Sequence, residues 1–332
     1  MVEKGILPVL TDTNNYTTRM TDTTFLSTEE VAKLLNVHIN TVTRWIKSGK
    51  LPSTKIGREY RIPRDAIENR MNKVASGTRI IAVANQKGGV AKTTTTLNLA
   101  AGLALRGKRV LVVDLDPQGG SGVSIGIATD ALNKTVYNVL IDDEVGFPDI
   151  IMKTKFCFDL APSNIDLAGA EIELKQLLAS EQVLKRKLEE IIDDYEYVIL
   201  DCPPSLGMLT INALTAAKEV FIPMAMELLA LRGLDMLSKT IGKIRAITNP
   251  ELQYLGLLPT KYDKQTLNSK EIYTALQASA QNAGIRLFNT YIPLTVRILE
   301  SPRYKSPIVV QIPQHEGATA YMTVVEEILH GK

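Results

Sequence analysis

Cysteine is nearly missing: the 332 residues hold two, Cys157 and Cys202. They lie far apart and neither belongs to a Cys-x-x-Cys pair, which excludes a disulfide framework and a thiolate zinc or iron–sulfur site. A reducing cytoplasm is the expected compartment. No apolar run reaches the roughly 18 residues that cross a bilayer, and no apolar signal core precedes Thr24. The expectation is an intracellular protein with no membrane partner. Charge of one sign is also scarce. The net value is +2, so whole-chain charge does not announce a nucleic-acid partner and local charge must be read instead. There is no internal repeat and no low-complexity tract beyond the N-terminal tail.

What is present divides the chain in four. Residues 1–23 are polar, rich in Thr and Asn, and without helical or strand period, the pattern of a flexible tail. Residues 24–71 read as a compact helical unit with a hairpin. Residues 72–78 are small and polar, a linker. From Arg79 to Lys332 short apolar runs (Ile80–Ala84, Val110–Val113, Tyr197–Leu200, Val220–Ile222 and Tyr254–Leu258) alternate with helical stretches (Thr93–Arg106, Glu181–Asp193 and Leu228–Ile247). Continuous apolar strands separated by helices predict an α/β fold, a doubly wound and mostly parallel sheet.

The first strand feeds Asn85-Gln86-Lys87-Gly88-Gly89-Val90-Ala91-Lys92-Thr93-Thr94. Two glycines let backbone wrap closely around anionic oxygens. A helix beginning near Lys92 offers free N–H groups and a positive dipole end, which suit phosphate. Lys92 is placed to reach the β- and γ-phosphates and the Thr93 hydroxyl to bind Mg²⁺. The strict pattern G-x-x-x-x-G-K-[ST] fails, because Gln86 and Ala91 stand at its glycine positions. On the loop alone an ordinary strand–turn–helix remains open. Two more strand ends argue against that. Val110–Val113 leads into Asp114-Leu115-Asp116-Pro117-Gln118, and Tyr197–Leu200 leads into Asp201-Cys202-Pro203-Pro204. Strands of an open α/β sheet deliver ligand-facing groups at their carboxyl ends, and a carboxylate after an apolar strand is placed to hold a Mg²⁺-bound water.

These segments resemble the ParA/Soj/MinD family of deviant Walker ATPases. The match runs through Lys87-Gly88-Gly89-x-x-Lys92-Thr93-Thr94, Asp114-Leu115-Asp116-Pro117-Gln118-Gly119 and Asp201-Cys202-Pro203-Pro204-Ser205-Leu206-Gly207. It continues through Glu227, Ile292-Pro293 and Glu300-Ser301-Pro302, covers 79–332, and lies nearest the ParA/Soj partition branch. The resemblance implies an ATPase that uses ATP and Mg²⁺. It makes Lys87 the lysine that reaches across an ATP-sandwiched homodimer to the partner's phosphates. Lys92 becomes the phosphate-loop lysine, Thr93 a Mg²⁺ ligand and Thr94 an α-phosphate contact. Gly88, Gly89, Val90, Ala91 and Pro293 line the nucleotide. Asp116 helps place the attacking water, and Asp201 holds Mg²⁺ through water. Glycine is usual in the family at position 91, and Ala91 is expected to fit there as an α-region residue. Thr260-Lys261-Tyr262-Asp263 mimics the T-K-x-D motif of guanine-binding GTPases, which keeps GTP as an alternative, although ParA-like proteins carry a similar pair and use ATP.

In the N-terminal unit, Ser27-Thr28-Glu29-Glu30 opens a helix with an N-cap candidate and an acidic first turn. Asn36-Val37-His38 makes a tight turn, with His38 read as a turn or cap residue rather than a metal ligand. Ile39 to Ser48 makes a second helix, stopped by Gly49. Val42, Trp45 and Ile46 share its core face, and Asn40, Thr43, Arg44 and Lys47 the other. Leu51 to Ile62 reads as a hairpin turning near Gly57, with Lys55, Arg58 and Arg61 along it. A short helix starts near Pro63. Ten basic residues between Lys33 and Lys73 face five acidic ones, a local charge of +5. This resembles the excisionase/MerR-type helix-turn-helix with a small wing, which puts the second helix in the major groove. A small helical adaptor for protein is the alternative.

The combined expectation is a plasmid or chromosome partition ATPase, nucleoid-associated and stimulated by a ParB-like partner. Lys264, Lys270, Arg297 and Arg303 are its candidates for non-specific DNA contact, with Arg232 a weaker one. An ATP-switched regulator of a mobile element is the competing reading. A MinD-like membrane helix is disfavoured, because Tyr321–His330 carries two acids and no basic stripe.

Overall fold

The first helix starts where Ser27 and Glu30 cap each other. The Glu30 N–H donates to Ser27 Oγ at 3.2 Å, and the Ser27 N–H donates to Glu30 Oε2 at 2.8 Å. This reciprocal box satisfies two N–H groups that have no partner in the helix itself. The computed structural model describes residues 25–35, 39–47, 49–67, 77–227 and 230–331, without the side chains of 230–232, 299, 301 and 302. The tail, the turn at Asn36-Val37-His38 and most of the linker lie outside these residues. The chain divides into two compact units, with the boundary between Met71 and Asn72.

In the first unit, β1 (Phe25–Leu26) precedes α1 (Thr28–Leu34) and α2 (Ile39–Lys47), and β2 (Thr54–Ile56) and β3 (Glu59–Pro63) follow. The hairpin turns through Gly57 at φ 65°, and the strands form an antiparallel sheet in the order β1-β3-β2. The pairing of Phe25 and Leu26 with Pro63 and Ile62 was not expected from sequence, since two residues carry no period. Val31, Val42, Trp45, Leu51, Ile62 and Ile67 make the core. Trp45 is 3% exposed, so it packs the interior and is not a base-stacking group.

The second unit is built on seven strands: β4 (Arg79–Val83), β5 (Val110–Asp114), β6 (Met152–Lys153), β7 (Asp159–Ala161), β8 (Tyr197–Asp201), β9 (Glu219–Ala225) and β10 (Gln253–Thr260). Their order is β10-β9-β4-β8-β5-β7-β6, and every pairing is parallel except β6 with β7. Alternate residues of one strand enter different cores. Ile80 and Ala82 join Leu111, Val113, Val198 and Leu200 on one face. Ile81 and Val83 join Val110, Val112, Ile199 and Phe221 on the other. Both faces of the sheet are therefore buried, which is why its strands read as unbroken apolar runs.

On the second face lie α3 (Lys92–Leu105) and the C-terminal helix Glu316–His330. Tyr321, Val324, Val325 and Ile328 of that last helix are buried, and the Tyr321 hydroxyl is 3.2 Å from Thr95 Oγ1. Its apolar face is thus occupied by the protein's own core. No helix among the described residues is long and apolar enough to cross a membrane.

Two sequence expectations need correction. Glu181–Asp193 is not one helix: 3-10 turns at Ser180–Gln182 and Ile192–Asp194 flank α7, the short helix Val183–Leu188. Asn212 holds this break, since its Oδ1 accepts the Leu184 N–H at 3.0 Å and its Nδ2 donates to Ser180 O at 2.8 Å. Strands β6 and β7 were not anticipated, being two and three residues long.

Candidate active site

Strands β4, β8 and β5 end level with one another. Val83 and Asp114 are both register partners of Asp201. Parallel pairing therefore brings the loop after β4 and the carboxylates ending β5 and β8 to one edge of the sheet.

Hydrogen bonds to and from neighbouring strands anchor the loop after β4. Asn85, 5% exposed, donates to Pro223 O at 2.8 Å and accepts the Lys87 N–H at 3.0 Å. The Thr260 hydroxyl donates to Val90 O at 3.0 Å. Gly89 (φ 70°) and Ala91 (φ 70°) are both left-handed. Residues of this hand beside right-handed ones turn successive N–H groups toward one anion-binding hollow. Ala91 is the N-cap of α3 and makes no side-chain cap bond, which leaves the first-turn N–H groups to an anionic ligand. The expectation that Ala91 sits in the α region is thus overturned. Its φ is that of a glycine position, strained by about 1–2 kcal/mol for an L side chain.

Two lysines serve this loop. Lys92 is 7% exposed, and its Nζ donates to Lys87 O at 3.2 Å. Burial pulls its pKa down, while Asp201 and then Cys202 and Asp116 oppose that. Lys87 is half-buried and ion-paired with Glu227, which also lies 3.9 Å from Lys261 Nζ.

The carboxylates differ sharply. Asp114 is fully buried, its Oδ1 accepting the Asp116 N–H at 3.1 Å and its Oδ2 the Ser121 N–H at 3.0 Å. Burial, then the neighbouring Asp201, holds its pKa well above the usual carboxylate range. Asp201 is also fully buried. Its Oδ2 accepts the Ser121 hydroxyl at 2.8 Å and its Oδ1 the Thr96 hydroxyl at 3.3 Å. Burial pushes its pKa up to about 6, against the hydroxyls of Ser121 and Thr93 and the charge of Lys92. Asp116 is half-exposed. Its Oδ1 accepts the Gln118 N–H at 3.0 Å, and its Oδ2 has no hydrogen-bond partner among the described residues. Asp114 therefore supports the loop, and Asp116 is the carboxylate with capacity to spare.

Ser121, on the short helix α4 (Gly120–Ser124), bridges both buried carboxylates. Sequence reading missed it, along with Thr96, Asn85 and Thr260. Their roles depend on which strands adjoin, and only Thr260 stood in a noted motif.

The residues fit a Mg²⁺ ion. Thr93 offers a hydroxyl, near enough to the Asp201 carboxylate to help lower its pKa, and Asp201 offers the carboxylate. No group of three or more His, Cys, Asp or Glu able to hold a metal occurs among the described residues. A single carboxylate plus a hydroxyl is the sparse donor set Mg²⁺ uses when phosphates and water complete its shell.

A cleft of about 250 Å³ adjoins the loop, lined by Gly89, Ala91, Thr94, Lys261, Pro293 and Thr295 among others. Pro293 and Thr94 line it together. Within the T-K-x-D look-alike, Thr260 holds Val90, Lys261 faces Glu227, and one oxygen of Asp263, Oδ1, accepts the Gln265 N–H at 2.9 Å. A larger hollow of about 560 Å³ lies at the amino ends of the strands, lined by Arg79, Lys108, Arg109 and Glu196. None of the predicted site residues is there.

The DNA candidates are scattered. Asn40 and Lys47 are exposed on α2, and Arg58 on the hairpin. The Thr43 hydroxyl donates back to Ile39 O at 3.1 Å, which leaves its oxygen lone pairs and its methyl group for a base contact. Lys264 sits 5.4 Å from the Tyr291 ring centre, and Lys270 is exposed on α10 (Leu267–Asn282). Arg297 donates to the Tyr304 hydroxyl at 3.3 Å, and Arg303 lies 3.9 Å from Glu300. The side chain of Arg232 lies outside those described.

Residues 78–254 match the model of a family described as an AAA domain, and residues 25–74 one described as a helix-turn-helix domain. The chain is 42% identical over 250 residues to the sporulation initiation inhibitor protein Soj of Bacillus subtilis, covering 75% of this chain and 98% of that one. It is 39% identical over 258 residues to the chromosome partitioning protein ParA of Caulobacter vibrioides, covering 77% and 95%. A solved structure of cobyrinic acid a,c-diamide synthase from Mycobacterium smegmatis, with bound ATP analogue and magnesium, is 42% identical with TM-score 0.67, covering 76% and 95%. The cell division ATPase MinD of Pyrococcus furiosus is 25% identical with TM-score 0.63, covering 76% and 99%. With its two-lysine phosphate loop, its two carboxylate-ended strands and these relatives, the chain belongs to the ParA/Soj-like family of P-loop partition ATPases, joined to an N-terminal helix-turn-helix domain.

Proposed function

We propose that this chain is a DNA partition ATPase that hydrolyses ATP with Mg²⁺ and works as an ATP-sandwiched homodimer. The observation that carries the reading is the pair of lysines on one loop. Lys92 is buried within it, and Lys87 stands at its edge where a simple phosphate loop has none. Lys92 and the N–H groups from Gly88 to Thr94 hold the nucleotide's phosphates. Thr93 and, through water, Asp201 hold Mg²⁺, which neutralises charge developing on the phosphoryl oxygens. The free oxygen of Asp116 orients the attacking water. Lys87 leaves Glu227 and completes the site of the second subunit, so ATP acts as the dimerisation switch. Positioning and charge neutralisation are what phosphoryl transfer mainly requires.

In this reading the ATP dimer binds duplex DNA without sequence preference, and a ParB-like DNA-bound partner stimulates hydrolysis and release. The helix-turn-helix adds site-specific binding, for instance at the protein's own promoter. Retention of the replicon that encodes the protein, compared between the wild type and Lys92→Ala, tests the partition role. Loss of retention is expected. Normal retention with altered promoter activity points instead to an ATP-switched regulator.

A further inference from the structure

The stretch from the end of β7 through the helix after it reaches the loop carrying Asp116 at one end and the start of a later helix at the other. Ser163 is fully buried, and its hydroxyl donates to Asp116 O at 2.5 Å. Its own carbonyl faces Gly119, where a Cβ would come within 2.9 Å of that oxygen. Gly119 has φ 63°, so two separate constraints keep side chains away from it. The loop carrying Asp116 is thus seated directly on Ser163. Eight residues on, Glu171 lies on α6 (Leu167–Glu173). Its Oε2 accepts the Met208 N–H at 2.7 Å and its Oε1 the Leu209 N–H at 3.3 Å. These are the first two residues of α8 (Met208–Ala216), whose N-cap Gly207 has no side chain to cap it. A Cβ at Gly207 would lie 2.5 Å from the Glu171 carboxylate oxygens. A glycine here therefore lets an acid from another helix supply the cap, with the helix dipole adding to the attraction. The loop that Glu171 anchors, Cys202–Gly207, starts directly after Asp201.

We propose that Ser163 and Glu171 are positioning residues for ATP hydrolysis, and that the segment between them fixes the separation of the Asp116 loop from the loop after Asp201. Asp201 ends β8 while Asp116 sits on the loop after β5, and both must meet one nucleotide, so the Asp116 loop needs a hold outside itself. The β5–β8 register fixes Asp114 against Asp201, and the Leu115 N–H still donates to Asp201 O at 2.9 Å, but the pairing goes no further. Asp116 lies beyond the strand, and Ser163 is the side chain from another element that bonds its backbone. Misplacement of a reacting group by about 1 Å can cost on the order of 100-fold in rate. Nucleotide affinity rests on the phosphate loop, which neither residue contacts. The inference rests on the reading that Asp116 and Asp201 serve hydrolysis.

The test uses the full chain with ATP and Mg²⁺. It measures phosphate release in a single turnover, ADP affinity by calorimetry, and thermal melting. Ser163→Ala and Glu171→Ala should each slow release by about 10-fold or more with ADP affinity unchanged. Glu171→Gln keeps an acceptor oxygen and should recover part of the loss. Ser163→Ala added to Asp116→Ala should cause no further loss, because it acts through Asp116. Unchanged release in both alanine variants overturns the proposal. So does a loss of rate matched by equal losses of ADP affinity and melting temperature, the mark of general destabilisation. A full additional loss in the Asp116→Ala background overturns the route through Asp116. If Asp116→Ala alone keeps full turnover, the reading of Asp116 fails and this inference with it. An inactive Asp116→Ala beside unaffected Ser163 and Glu171 variants removes the inference alone.

Discussion

Lys87 and Glu227 form an ion pair at the edge of the phosphate loop, so the lysine is held by its own chain. Glu227 is 46% exposed at its side chain, and Lys261 approaches its other oxygen at 3.9 Å. A partly exposed pair of this kind is worth at most about 1 kcal/mol. Exchanging Glu227 for a partner's phosphates therefore costs little, and Lys261 remains to neutralise Glu227 when Lys87 leaves. The predicted result for Lys87→Ala is a protein that still binds ATP, through Lys92, but stays monomeric by light scattering in ATP. Dimerisation as in the wild type would sink the trans role of Lys87.

Asp116→Ala should trap the ATP dimer. A positioned acid–base group contributes about 100-fold or more to a rate, whereas binding rests on the phosphate loop. Turnover should fall by that order while dimers persist. Asp114 is the weaker choice, because both its oxygens are engaged by backbone N–H groups. Undiminished phosphate release from Asp116→Ala, measured with Mg²⁺, contradicts the assignment.

Ala91→Gly should raise stability. Relief of the left-handed alanine returns about 1–2 kcal/mol, and the greater freedom of glycine in the unfolded chain takes back about 0.5–1 kcal/mol. The net is a gain of about 0.5 kcal/mol or a little more, or roughly 2 °C in melting temperature for a domain of this size. ATP affinity should hold or rise. A lower melting temperature would mean that the loop does not need the left-handed conformation.

ATP should be preferred over GTP. Thr260 and Lys261, two of the residues that make the sequence look like a guanine reader, are turned to Val90 O and Glu227. Competition against a fluorescent ATP analogue checks this, and a clear preference for GTP overturns it.

Much of this architecture was legible because β4, β5, β8, β9 and β10 are buried on both faces and read as continuous apolar runs. The edge strands Met152–Lys153 and Asp159–Ala161 were not, being too short to show a period. The helix-turn-helix was visible from Ser27, Glu30 and the spacing of Val42, Trp45 and Ile46, while its small strand at Phe25–Leu26 exists only through pairing with β3. Lys92 could be named from the glycine loop and the helix start after it, and Asp116 and Asp201 from strand ends. Ser121, Ser163 and Glu171 could not, because each acts on a residue that the fold, not the chain, brings near. Ala91 was misread since its conformation is imposed by the loop and the residue itself prefers another.

The proposed function turns on an ATP-gated grip on any duplex, separate from sequence-specific binding by the N-terminal unit. The direct measurement compares a fragment beginning near Ser76 with the full chain, on random and promoter DNA, in ATP and in ADP. The account predicts that the fragment binds random duplex in ATP and releases it in ADP. Loss of Lys264, Lys270, Arg297 or Arg303 should weaken all sequences alike and reduce the salt slope by about one per phosphate contact. In the full chain, promoter binding should persist in ADP, and Arg44→Ala should cost about 1–3 kcal/mol at one site. A fragment with no ATP-dependent binding to random DNA would contradict the account and leave all DNA contact to the helix-turn-helix.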